Sequence, residues 1–149
     1  MIRVSTKGRY ALRAMVDLAR RFGNGPIARH DIAARQDISA DYVAQLFRPL
    51  QNAGLVEGVK GPGGGYRLTR APSEIRVRDV VEALEGPIAL APCVGDQPQE
   101  RDCSRADCCA TRDLWERLST AIRELLDAYS LHDLSSEADR LAGVSGEMS

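Results

Sequence analysis

The chain has 149 residues, 44% hydrophobic and only 5% aromatic, with a formal net charge of −1. That suits one domain, or a small domain with an appendage, with a core of Ala, Leu, Val and Ile, and it argues against a disordered chain. No run approaches the ~18 consecutive apolar residues of a membrane-spanning helix, and the start MIRVSTKGRY lacks an apolar leader, so a cytoplasmic protein is expected. The net charge hides a split. Residues 1–80 carry 14 Lys and Arg against 7 Asp and Glu, net +7, whereas residues 81–149 carry 6 against 14, net −8. A basic front half suggests a polyanionic partner, and an acidic back half a different task.

Ser5 or Thr6 can cap a first helix running to about Arg21, with Tyr10, Ala11, Ala14, Met15, Leu18 and Ala19 as its apolar stripe. Lys7, Arg9 and Arg13 lie near its start, where they oppose the helix dipole; contact with a phosphate backbone would compensate. A solvated basic face accounts for any one of them equally well. Gly23, Gly25 and Pro26 break the chain, and a short helix comes next, from Arg29 to Gln36, with Ile32 and Ala33 inward. Asp37-Ile38 is the turn. Ser39 is the N-cap of the next helix, Ala40 to about Asn52, with Asp41 in its first turn. Val43, Leu46, Phe47 and Leu50 form the buried stripe; Gln45 and Arg48 fall off it and Tyr42 lies at its edge. Pro49 should kink the last turn, and Gly54 should end the helix.

Two short helices with a tight turn, the second polar at its start, fit a helix-turn-helix, although many helical pairs share that pattern. The next fifteen or so residues strengthen it. Leu55–Val59 and Tyr66–Thr69 are predicted strands, joined by Lys60-Gly61-Pro62-Gly63-Gly64-Gly65. A Gly-rich hairpin directly after a recognition helix is a wing. Its tip can enter the minor groove, with Lys60 and Arg67 as candidates near phosphates. A nucleotide-binding loop is the weaker reading of the glycines, because no GK[ST] and no helix come after them.

The segments STKGRYALRAMVDLA, SADYVAQLFRPLQNAGLV and VKGPGGGYRL together resemble the bacterial winged-helix regulator family of IscR, NsrR and CymR, along nearly the whole chain. The resemblance implies a mainly α fold with a small β wing: a winged helix-turn-helix plus a long dimerisation helix. It implies a homodimeric transcription factor on a palindromic operator in double-stranded DNA. Ser39, Asp41, Tyr42 and Gln45 then fall on the recognition helix and Lys60 on the wing.

In the back half a helix is predicted from about Arg78 to Glu85, closed by Gly86. Residues 87–110 lack periodicity and are rich in Gly, Pro, Asp and Cys, which suits a functional loop. A long helix is expected from about Thr111 to Ser130. Its stripe of Leu114, Trp115, Leu118, Ile122, Leu125, Leu126 and Tyr129 fits a shared dimer core better than packing on its own chain alone. Leu131–Leu134 continues it as an extension or turn, and residues 135–149 are expected to form a polar tail. The organisation expected is thus 1–86 for DNA binding, 87–110 for sensing, 111–134 for dimerisation and 135–149 as tail.

Cys93, Cys103, Cys108 and Cys109 lie within 17 residues, with nine, four and zero residues between them. No standard ferredoxin or zinc-ribbon spacing matches, so the spacing alone leaves an iron–sulfur cluster, zinc, a redox disulfide and inert thiols open. The resemblance favours a cluster, 2Fe–2S or 4Fe–4S, held by Cys93, Cys103 and Cys109, with Cys108 as alternate ligand or resolving thiol. The chain departs from the family at the fourth ligand. Arg112 stands where the assembly regulators have a histidine, and Arg9 where the nitric-oxide sensors have an acidic residue. Cys108, Asp107, a residue of the partner chain or a small molecule remain as candidates. His30 and His132 are expected to be surface residues. Two cluster-free alternatives stand beside the iron–sulfur reading: a thiol switch in which Cys108 and Cys109, with Cys103 nearby, form disulfides under oxidant, and, because Gly86-Pro87-Ile88 resembles the cysteine-metabolism regulators, a regulator partnered with a metabolic enzyme such as cysteine synthase. No Ser/His/Asp set, paired catalytic carboxylates or nucleotide loop is present, so no enzyme is expected.

Overall fold

The structure is a computed structural model that describes residues 3–94 and 110–145. Its elements run in the order α1 (Thr6–Arg20), α2 (Arg29–Gln36), α3 (Ala40–Asn52), β1 (Val56–Val59), β2 (Gly65–Leu68), a 3-10 turn (Pro72–Glu74), α4 (Val77–Glu85), α5 (Arg112–Ala128) and α6 (Leu131–Ser145). A mainly helical chain with one two-stranded antiparallel sheet is what the sequence predicts.

The first three helices start and stop where their local chemistry dictates. The Ser5 hydroxyl accepts the Gly8 N–H at 3.0 Å, and the Ser39 hydroxyl accepts the Tyr42 N–H at 3.0 Å. Helix α3 runs through Pro49 to Asn52 and ends at Gly54, which is left-handed at φ 75°. There the Gly54 N–H bonds the Gln51 carbonyl and the Leu55 N–H bonds the Leu50 carbonyl, closing the orphan carbonyls of the last turn. Helix α2 ends the same way, except that Asp37 takes the left-handed position at φ 55°.

One core joins these elements. Ala11, Ala14, Met15, Ile32, Val43, Leu46, Phe47, Leu50, Ile75, Val80 and Leu131 are all fully buried. The stripe predicted on α3 is therefore the stripe observed. The hairpin pairs Val56 with Leu68 and Glu57 with Arg67. Tyr66 also exchanges two backbone hydrogen bonds with Ile27, at 2.8 and 2.9 Å, which ties the wing to the segment before α2.

The C-terminal region differs from the sequence reading. The long helix stops at Ala128, and a second helix, α6, occupies 131–145, where an extension or turn to Leu134 and a polar tail from 135 were expected. The cause is a capping box. The Ser130 hydroxyl accepts the Asp133 N–H at 3.1 Å, while the Asp133 carboxylate accepts the Ser130 N–H at 2.9 Å. Hydrogen bonding from Ser130, its backbone N–H first and its hydroxyl second, holds the Asp133 carboxyl below the usual aspartate range. Leu131 inserts into the core, and α6 folds back along α1, where Arg20 pairs with Asp139 at 2.9 Å. Helices α4 and α5 are joined by Arg78, which bonds Asp127 and Glu82 at 3.0 Å each and is held more firmly protonated by them, Asp127 first.

Candidate nucleic-acid interface and thiol segment

Helix α3 turns its apolar face inward and leaves Ser39, Asp41, Gln45 and Arg48 exposed, with Tyr42 half-buried. The sequence-predicted recognition residues therefore share the outward side of one helix. Tyr42 meets Tyr10 of α1 edge-to-face, 6.0 Å between ring centres, and Arg13 lies over Tyr10 at 5.1 Å. This contact fixes α3 against α1. Lys60 is exposed at the base of the wing tip. Gly64 and Gly65 shape that tip: a Cβ on Gly64 would sit 2.1 Å from the Val59 carbonyl oxygen, and one on Gly65 2.0 Å from that of Ile27.

The remaining basic candidates lie in three different settings. Lys7 is exposed at the start of α1. Arg9 bonds the Thr6 hydroxyl and lines a groove of about 730 Å³ between α1 and α6, away from the α3 side chains. Arg67 is paired across the hairpin with Glu57 at 2.5 Å, so its charge is already compensated. Both histidines are exposed, as expected, and His30 lies beside Asp31.

Sequence reasoning missed a polar cluster that braces α1 against α2. Asp17 is buried and accepts hydrogen bonds from Arg21 at 2.6 Å and from Arg35 of α2 at 3.0 Å to each oxygen. The Asp17–Arg21 spacing of four was the available signal; the Arg35 partner requires the fold.

The thiol segment begins as a strap along α5. The Ser119 hydroxyl accepts the Leu90 N–H at 2.9 Å, Arg123 donates to the Ile88 carbonyl at 2.9 Å, and Arg112 donates to the Cys93 carbonyl at 3.3 Å. Ser119 and Arg123 are buried by this strap. Cys93 is half-buried beside the first turn of α5, and the neighbouring Val94 is buried. Arg112 thus holds the backbone of the first cysteine of the segment. Cys103, Cys108 and Cys109, together with Asp107, lie outside the described residues.

Helix α5 shows the opposite of ordinary packing. Leu114, Leu118, Leu125 and Tyr129 are 51%, 41%, 62% and 49% exposed, while Trp115, Ile122 and Leu126 are half-buried. Large apolar side chains spaced by four, seven and four residues leave a continuous uncovered seam along the helix. Among the described residues, no helix is long and apolar enough to cross a membrane.

Comparison with known proteins agrees with this architecture. The Rrf2 family model, described as an iron-dependent transcriptional regulator, matches residues 4–137. The HTH-type transcriptional regulator IscR of Aliivibrio salmonicida is 42% identical over 133 residues, covering 89% of this chain and 77% of its own. Among solved structures, CymR, the global cysteine regulator of B. subtilis, superposes with a TM-score of 0.74 at 39% identity, over 92% of this chain and 98% of that one. IscR of T. potens gives 0.72 at 39% identity, over 92% and 88%. A helix-turn-helix with its wing, a matching family model and relatives of this similarity lead to one conclusion: the chain belongs to the Rrf2 family and is a winged-helix, DNA-binding transcriptional regulator, not an enzyme.

Proposed function

We propose that the chain is a homodimeric, sequence-specific regulator whose DNA binding responds to the state of its cysteines. The uncovered seam of α5 carries the dimer reading. Leu114, Leu118 and Leu125 are too exposed for a helix that works alone, and pairing two such seams would remove them from water at about 1.5–3 kcal/mol per leucine. Pairing in this way gives two copies of α3, which suit half-sites about 34 Å apart. Gln45 is placed to pair with an adenine edge, Ser39, Asp41 and Tyr42 to bond bases or phosphates, and Lys7, Arg48 and Lys60 to add sequence-independent attraction. Arg9 and Arg67 contribute less, being turned to the α1–α6 groove and to Glu57.

Four thiols in 17 residues are a donor set suited to an iron–sulfur cluster, and Cys93 has its backbone held in place by Arg112. Cys93, Cys103 and Cys109 would hold it; Arg112, a permanent cation, cannot complete the set, which leaves Cys108, Asp107, the partner chain or a small molecule. Such a group, when bound, supplies electron exchange and sensitivity to oxidant or nitric oxide. The chain's own part is mechanical. Ser119, Arg123 and Arg112 fasten residues 88–93 to α5, and Glu85, just before the strap, accepts the Ser5 N–H at 3.1 Å at the start of α1. Tension or release in the thiol segment therefore bears on both the dimer helix and the N-terminus of the DNA-binding unit.

Absorption spectra with iron and sulfide assays on anaerobically purified protein test the cluster. Sulfide-to-iron charge-transfer bands with near-stoichiometric iron and sulfide are expected. Protein that stays colourless after anaerobic reconstitution favours the second reading, a thiol switch among the same cysteines.

A further inference from the structure

The wing and the helix-turn-helix enclose a cleft that the recognition face does not account for. It has a volume of about 510 Å³ and is lined by Arg29, Gln51, Gly58, Val59, Lys60, Gly65 and Tyr66. Arg29 is the first residue of α2, Gln51 comes from the last turn of α3, and Lys60 from the wing. The walls are held in place independently of any ligand. The Ile27–Tyr66 backbone pair fixes the wing to the α2 approach, and the Gln51 amide lies over Gly58, where a Cβ would come within 3.0 Å of its nitrogen.

Two cations face this cleft, and both Arg29 and Lys60 are exposed. Neither has an ion-pair partner within the described residues, unlike Arg67 on the outer strand, which Glu57 neutralises. No carboxylate lines the cleft. Arg29 is the first residue of α2, whose first turn also holds Asp31. The cleft lies between the wing on one side and the last turn of α3 on the other.

We infer that this cleft seats a DNA backbone phosphate, with Arg29 and Lys60 as its two charged walls and the Gln51 amide as a neutral donor. This rests on the DNA-binding reading and extends it to a residue outside the recognition helix and the wing. Its role is to set the register of the wing on the duplex, since phosphate contacts position a protein and base contacts specify sequence. Arg29 should matter equally for all sequences.

The test is the salt dependence of binding by the full-length protein to a random-sequence DNA duplex and to a duplex selected from a random library. Arg29→Ala is compared with Arg29→Lys and with Arg140→Ala, which removes the same charge on α6. Arg29→Ala should lower affinity for both duplexes by a similar factor, about tenfold at low salt, and reduce the slope of log affinity against log salt by about one. Arg29→Lys should keep the slope. Equal, slight effects of Arg29→Ala and Arg140→Ala, while Lys60→Ala still weakens binding, would overturn the cleft and leave DNA binding intact. Weakening confined to the selected duplex would make Arg29 a base reader and also overturn it. Wild-type protein that binds neither duplex would remove the DNA-binding reading and this inference together.

Discussion

Helices α3 and α5 carry similar amphipathic patterns and meet opposite fates. Val43, Leu46, Phe47 and Leu50 of α3 are completely buried within the chain. Leu114, Leu118 and Leu125 of α5 stay 41–62% exposed, while the residues α5 buries are Ser119 and Arg123. Periodicity announces that a helix has a face to cover; it does not say what covers it. For α3 the cover is α1, α2, α4 and β1. For α5 the polar side is covered by the strap of residues 88–93, and much of the apolar side is left uncovered by the described residues.

The largest effect expected from breaking that contrast comes from the seam. Leu118→Glu with Leu125→Glu should raise the dimer dissociation constant by at least about a hundredfold, given about 1.5–3 kcal/mol per buried leucine. Sedimentation velocity would then show monomer with unchanged helicity. If the variant stays dimeric, the seam of α5 is not the interface. The converse holds for α3. Phe47→Ala, which deletes a fully buried ring packed on Tyr66 at 4.5 Å, should cost about 3–5 kcal/mol in chemical unfolding. A loss below 1 kcal/mol, on the order of a surface substitution, would mean that the α3 stripe is not the core it is taken to be.

A smaller effect belongs to the polar brace between α1 and α2. Asp17→Ala leaves Arg21 and Arg35 without their shared acceptor; since both arginines are about one-third exposed, water can take over, and a loss of about 1–3 kcal/mol is expected. The smallest concerns the turn between α2 and α3. Asp37 holds a left-handed conformation that glycine adopts without strain, so Asp37→Gly should leave stability unchanged or raise it by up to about 1 kcal/mol, whereas Asp37→Val should lower it. Thermal melts that rank valine above glycine would refute the turn geometry.

The front half was almost fully legible because its determinants are local. Ser39 caps α3, Gly54 ends it, and the apolar spacing of Val43, Leu46, Phe47 and Leu50 has one solution. The α6 helix was missed, although the pair Ser130 and Asp133, a capping box, was its local signal; the polar composition after it obscured that signal. Other features depend on tertiary approach and leave no local trace. Ser119 and Arg123 look like solvent-facing residues until the strap lies across them. Arg35 finds Asp17, and Arg29 joins Lys60, only because the elements between them fold back. Arg112 likewise shows a physical role only through its bond to the Cys93 carbonyl, which the fold brings to it.

The central claim is that the thiol segment controls DNA binding, and one comparison tests it most directly. Affinity for a duplex selected from a random library would be measured for anaerobic wild-type protein, for the same protein after mild oxidation, and for the Cys93→Ala, Cys103→Ala, Cys109→Ala triple variant in both states. A change of about tenfold or more on oxidation of the wild type, absent in a folded and dimeric triple variant, is the expected result. Equal affinity in all four samples would leave a DNA-binding dimer whose cysteines have no part in its regulation.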